Sequence, residues 1–138
     1  MIELTEDMTN ALNNSFADRK IVEIVTASKA GVPDIAFKGS AMAWDSDHIA
    51  WWERSLGTTF SNVKENPNVC VLYANFEGRK VWKFFGVAEV HTDGPLRQKV
   101  MDRTVQAELD RDPERKGAAV IVRVDKIVQG PQVLQQRD

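Results

Sequence analysis

The chain has 138 residues, 43% of them hydrophobic and 28% charged, with a formal net charge of -2. That is enough for one domain with its own core, expected to span residues 1–138. Its cations are interspersed with acids and no apolar run approaches the ~20 residues that cross a bilayer, which excludes nucleic-acid and membrane-spanning roles. The single cysteine, Cys70, allows no intrachain disulfide. With an acidic N-terminus lacking an apolar stretch, that points to a soluble protein of the cytoplasm.

In chain order, Met8, Ala11, Leu12 and Phe16 recur at helical spacing behind Thr5, which predicts a short amphipathic helix from Thr5 to Phe16. Lys20 to Ser28 is rich in β-branched residues and reads as a strand. A turn over Ala30–Pro33 leads to an antiparallel partner from Asp34 to Trp44. The Asp45–His48 turn leads to a third strand, Ile49 to Glu53, giving a three-stranded meander. Thr58 to Asn66 is helical and stops at Pro67, because a residue before proline is pushed out of the α region. Asn68 to Asn75 and Arg79 to His91 form a hairpin about Glu77-Gly78. The second of these carries Val81-Trp82-Lys83-Phe84-Phe85, with large apolar groups on both faces, so a covering partner is expected. A helix opens at Pro95 and fades into the charged stretch from Asp110 to Lys116. Gly117 to Val128 is the last strand, with a polar tail after Gly130-Pro131. The expected fold is mainly β with short helices, a six-stranded antiparallel barrel.

The chemistry concentrates between Pro33 and Pro67. The first N–H groups of a helix lack intrahelical partners and carry partial positive charge. Gly57 allows a sharp turn there, and Thr58 and Thr59 add hydroxyls. Arg54 lies just upstream, with Lys38 and Ser40 on the strand expected to pair with it. Such a corner can bind phosphate through charge-assisted hydrogen bonds. The same residues are equally read as a helix cap and two solvated surface cations.

The order of elements resembles the pyridoxamine 5′-phosphate oxidase-like FMN-binding split-barrel family. The resemblance covers roughly Ile21 to His91. It is carried by Gly31-Val32-Pro33, by Trp51-Trp52-Glu53-Arg54-Ser55, by the run Asn62 to Val69 around Asn66-Pro67, and by Gly86-Val87-Ala88-Glu89-Val90. It implies a split barrel that forms a homodimer with FMN at the interface. FMN contacts would come from Phe37, Lys38, Gly39 and Ser40 and from Trp51, Trp52, Glu53, Arg54 and Ser55. The phosphate would lie near Thr58 and Thr59, and the facing protomer would contribute the strand around Trp82. Two departures stand out. Many members carry Arg-Lys or Lys where this chain has Thr58-Thr59, leaving Lys38 and Arg54 as the cations. The ending Gln135-Gln136-Arg137-Asp138 lacks the arginine-containing segment with which authentic pyridoxamine phosphate oxidases recognise their substrate, so that activity is not expected.

Other constellations carry little. His48 and His91 have no metal-ligand spacing, and no metal is expected. Cys70 sits mid-strand as a buried inert thiol. Ser61-x-x-Lys64 lacks the partner motifs of penicillin-recognising enzymes. Trp51 and Trp52 are adjacent on a strand and face opposite sides, so one needs cover from a ligand, a helix or a second subunit. The expected function is a small-molecule oxidoreductase in which bound flavin carries the chemistry and the protein orients it, with no dedicated catalytic acid or base. The alternatives are the same scaffold holding F420 or haem, or a non-enzymatic flavin-binding or sensing protein.

Overall fold

A computed structural model describes every residue from Met1 to Asp138. The elements, in chain order, are α1 (Glu6–Asn13), β1 (Val22–Ala27), β2 (Pro33–Lys38), β3 (Met42–Ala43), β4 (His48–Glu53), α2 (Thr58–Glu65), β5 (Asn68–Asn75), β6 (Lys80–His91), α3 (Gly94–Arg103), α4 (Gln106–Leu109), β7 (Ala118–Gln129) and β8 (Gln132–Gln136). The strands form one antiparallel sheet in the order β2-β1-β5-β6-β7-β4-β3, with β8 also paired to β7. This is the split-barrel architecture, mainly β with short helices. No helix is long and apolar enough to cross a membrane.

Strand alternation builds the core. Val22 and Ile24 of β1, Val69, Val71 and Tyr73 of β5, and Trp82, Phe84 and Ala88 of β6 all point inward. Thr5 caps α1, its hydroxyl accepting from the Met8 N–H at 3.2 Å. The helix sets Met8, Ala11 and Leu12 into the same core. β6 and β7, twelve residues each, curl along their length. A register shift between Phe85 and Gly86 marks the bend, and a side chain at Gly86 would run into the Arg123 carbonyl.

The strand count is eight, not the expected six. The run from Asp34 to Trp44 breaks after Lys38, so β2 and the two-residue β3 are separate strands. The tail after Gly130-Pro131 folds back as β8, because Gly130 adopts φ +55° and closes a hairpin rather than ending the sheet. The expected meander holds locally, since β1 pairs with β2 and β3 with β4, but the break after Lys38 splits it: the other neighbour of β1 is β5 and that of β4 is β7. These contacts join residues far apart in sequence, which local turn signals cannot specify.

The two adjacent tryptophans of β4 do face opposite ways. Trp51 is fully buried inside the barrel, while Trp52 lies under α3 and α4 with Val100 and Leu109. The cover for the second ring is therefore helical.

Candidate functional site

β2 and β4 end side by side, and the side chains at their last residues meet. Glu53 is turned fully inward, with no exposed surface. A buried carboxylate must be compensated. Here Lys38 Nζ lies 2.9 Å from both of its oxygens, and Trp51 Nε1 donates to Oε1 at 3.1 Å. Ser55 Oγ donates to Oε2 at 3.0 Å. Glu53 thus binds three side chains into one unit beneath the surface.

Ser40 joins the two strands without a sheet ladder. Its hydroxyl accepts from the Trp52 N–H at 2.9 Å and donates to the Trp52 carbonyl at 3.1 Å. Ser40→Ala leaves both buried backbone groups unpaired. It is expected to cost about 2–3 kcal/mol, read as a lower urea midpoint with an unchanged m-value.

Above this floor lies a cleft of about 210 Å³. Seven of its nine lining residues are among those the sequence implicates: Phe37, Lys38, Gly39, Ser40, Trp52, Arg54 and Ser55. The other two are Ala36 and Glu108. Glu108 reaches over from α4, where its Oε2 accepts from Arg54 Nε at 3.1 Å. Its carboxylate sits directly over Gly39, so a side chain there would have to displace it. The two Nη groups of Arg54 have no protein acceptor, and the side chain is 38% exposed. Trp52 is fixed by its indole N–H, which donates to Asp112 Oδ2 at 2.9 Å, and by the Arg97 guanidinium 4.9 Å from its ring centre. Burial pushes the Asp112 carboxyl up. The Lys116 and Gly117 N–H groups, the Trp52 indole and the Arg115 charge outweigh that and hold it below the usual range.

The remaining implicated residues lie elsewhere. Trp51 belongs to the barrel core, and Glu53 lies beneath the cleft rather than on it. Trp82 is 5% exposed and stacks on Tyr73 with ring centres 5.6 Å apart, again within this chain's core. The cleft lining ends at Ser55. Beyond it the chain turns at Leu56 (φ +51°), not at Gly57, whose φ is -92°. Neither threonine caps α2: the capping position is Gly57, without a side-chain bond. Thr58 is exposed, whereas Thr59 is buried.

Phe37 is 69% exposed and forms a ridge between this cleft and a second hollow of about 310 Å³ that includes Arg19, Lys20 and Leu72. It continues an apolar edge with Val32, 63% exposed, and Ile35, 59% exposed. By strand register, Ile35 leads on to Val25, Cys70 and Phe85 across the outer face. Lys126 covers Phe85 at 4.8 Å from its ring centre. Burial raises the Cys70 pKa against the opposing charges of Lys83 and Lys126, consistent with an unreactive thiol.

His48 Nδ1 lies 2.9 Å from Asp45 and 2.8 Å from Asp47, and Arg137 binds the other Asp47 oxygen at 3.1 Å. This network ties the β3–β4 turn to the residue after β8. Sequence reading had no means of pairing His48 with Arg137, nor of bringing Glu108 to Arg54, 54 residues away.

A family profile described as pyridoxamine 5′-phosphate oxidase matches residues 8–127. A protein of Methanocaldococcus jannaschii, described as uncharacterized, is 32% identical over 123 residues, covering 88% of this chain and 77% of its own. The solved structure of Group A Streptococcus HupZ aligns with a TM-score of 0.75 at 23% identity, over 95% of this chain and 98% of that one. An FMN-binding protein from Syntrophomonas wolfei subsp. wolfei aligns with a TM-score of 0.69 at 12% identity, over 96% and 87% of the two chains. At these identities the two solved structures speak to the fold alone.

Proposed function

The chain belongs to the pyridoxamine 5′-phosphate oxidase family, and from that premise we propose that it is a homodimeric FMN-binding protein acting as a flavin-dependent oxidoreductase on a small molecule. The observation that carries the proposal is the convergence of residues 37–40 with Trp52, Arg54 and Ser55 on one cleft, beside an exposed aromatic. Arg54 retains free Nη donors for an anionic group. The cleft's 210 Å³ falls below the roughly 300–1,000 Å³ of sites that enclose such ligands. A second copy, seated on the apolar edge of Val32, Ile35 and Phe37, supplies the missing wall in this reading. The Syntrophomonas protein of the same fold is described as FMN-binding, so the scaffold is compatible with FMN, the ligand proposed here.

The flavin, when bound, supplies hydride or electron transfer. This chain's residues hold and shape its surroundings. Arg54 would bind the anionic end and Phe37 would lie against the ring or the substrate space. Trp52 forms a wall held rigid by Asp112, and Ser40 fixes the distance between β2 and β4. Lys38 is paired to Glu53, so it contributes position and local field rather than a free cation. Thr58 and Thr59 stay in the proposal only as second contacts that the partner's approach would have to bring into play. The half-buried, unreactive Cys70 suits a reducing compartment, and the cytoplasm is the proposed location.

The proposal is tested by titrating FMN and riboflavin into Arg54→Ala. Loss of a charge-assisted contact of about 1.5–3 kcal/mol should weaken FMN roughly ten- to hundredfold and leave riboflavin, which has no phosphate, nearly unchanged. Equal weakening of both would refute phosphate anchoring by Arg54. The neutralised cations of the cleft favour one second reading, a carrier that binds flavin without turnover. Reduction by NADH or NADPH with sustained turnover would exclude it.

A further inference from the structure

The charges lining the cleft cancel: Lys38 is matched by Glu53 below, and Arg54 by Glu108 above. The two carboxylates are not equivalent. Glu53 has no exposed surface and holds three donors, so it is part of the framework. Glu108 comes from a four-residue helix and has one partner, Arg54 Nε at 3.1 Å. Its side chain is 13% exposed and stands over Gly39, at the mouth formed by the ends of β2 and β4.

We infer that Glu108 is the residue that sets the charge selectivity of this cleft, acting as a resident carboxylate on the arginine that an anionic ligand must use. The inference rests on the reading of the cleft as a ligand site holding Arg54 against an anionic group. A guanidinium offers its donors in a planar fork. Glu108 holds the Nε side of that fork, so a phosphate arriving at the Nη groups lies beside a like charge in a partly dehydrated setting. It must displace the Glu108 side chain or bear that repulsion. A neutral ring system entering between Phe37 and Trp52 meets no such opposition. Glu108 therefore narrows the preference of the cleft for a phosphorylated ligand over its dephosphorylated form. Gly39 is what lets the carboxylate come so close: any side chain there would push Glu108 away from the mouth.

The test compares wild type with Glu108→Gln, which keeps the length and an acceptor for Arg54 Nε while removing the charge. FMN, riboflavin and inorganic phosphate are each titrated as probes. Glu108→Gln should tighten FMN and phosphate at least about tenfold and move riboflavin by less than about twofold. Adding Arg54→Ala should abolish the gain. A gain shared equally by FMN and riboflavin would mean that Glu108 only takes up space, and would overturn the inference. So would an unchanged affinity for phosphate. If phosphate tightens through Arg54 while neither protein binds any flavin, the role of Glu108 stands and the flavin proposal falls. If wild type binds FMN and Glu108→Gln shifts neither anion, the flavin proposal stands and this inference falls.

Discussion

Replacing Glu53 with glutamine is expected to destabilise the fold by about 3–5 kcal/mol, the usual consequence of breaking one side of a buried ion pair. Glu53 is fully buried, and Lys38 is 11% exposed with its Nζ 2.9 Å from both carboxylate oxygens. A glutamine amide turns one of those acceptors into a donor. Turned one way, its NH2 faces Lys38 and the Trp51 indole, which only donate; turned the other way, it faces Lys38 and the Ser55 hydroxyl, which can rotate to accept but leaves the clash with the ammonium. The ammonium is then left without a counter-charge in a place water barely reaches. Urea unfolding measures the effect. Lys38→Met in the same background removes the orphaned cation, so the double variant should recover about 2 kcal/mol relative to additivity. A loss below about 1 kcal/mol for Glu53→Gln would mean that the ion pair is not the strut between β2 and β4 described above.

Phe37→Glu should leave the folded subunit intact and separate the proposed dimer. Phe37 is 69% exposed in the single chain, so its removal from that surface should change subunit stability by no more than about 0.5 kcal/mol. At an interface core, an exposed aromatic replaced by a charge typically costs 2–4 kcal/mol of association, roughly thirty- to thousandfold in the dissociation constant. Sedimentation velocity across a concentration series reads this directly. Flavin affinity should fall with it, because Phe37 borders the cleft as well as the apolar edge. A variant that remains dimeric would move the interface away from β2.

How much of this was legible in the sequence depended on how local each signal is. β5 matched its expected span, and α2 ended within one residue of expectation, because alternation and an Asn-Pro stop operate over a few residues. Family spacing singled out segments 37–40 and 51–55, and the structure gathers residues 37–40 with Trp52, Arg54 and Ser55 around one cleft. The threonine corner was less legible: helix N-terminal chemistry suggested a ligand site, whereas the positive φ falls at Leu56 and neither threonine lines the cleft. Trp51 and Trp82 look alike in sequence whether they line a site or a core, and within the single chain both are buried. Glu108 was illegible, since its charge lies in a polar stretch and its role comes from tertiary placement of α4. β8 was hidden because Gly-Pro reads as a terminator, yet Gly130 in a left-handed conformation makes it a hairpin.

The central claim is that two copies of this chain enclose FMN at the junction of β2 and β4. Titration of FMN into the purified protein, followed by flavin fluorescence with the mass in solution measured at saturation, addresses it most directly. Saturation at one FMN per chain on a dimer, with much weaker binding by monomeric Phe37→Glu, is the predicted result. No saturable binding, or equal binding by the monomeric variant, would contradict it.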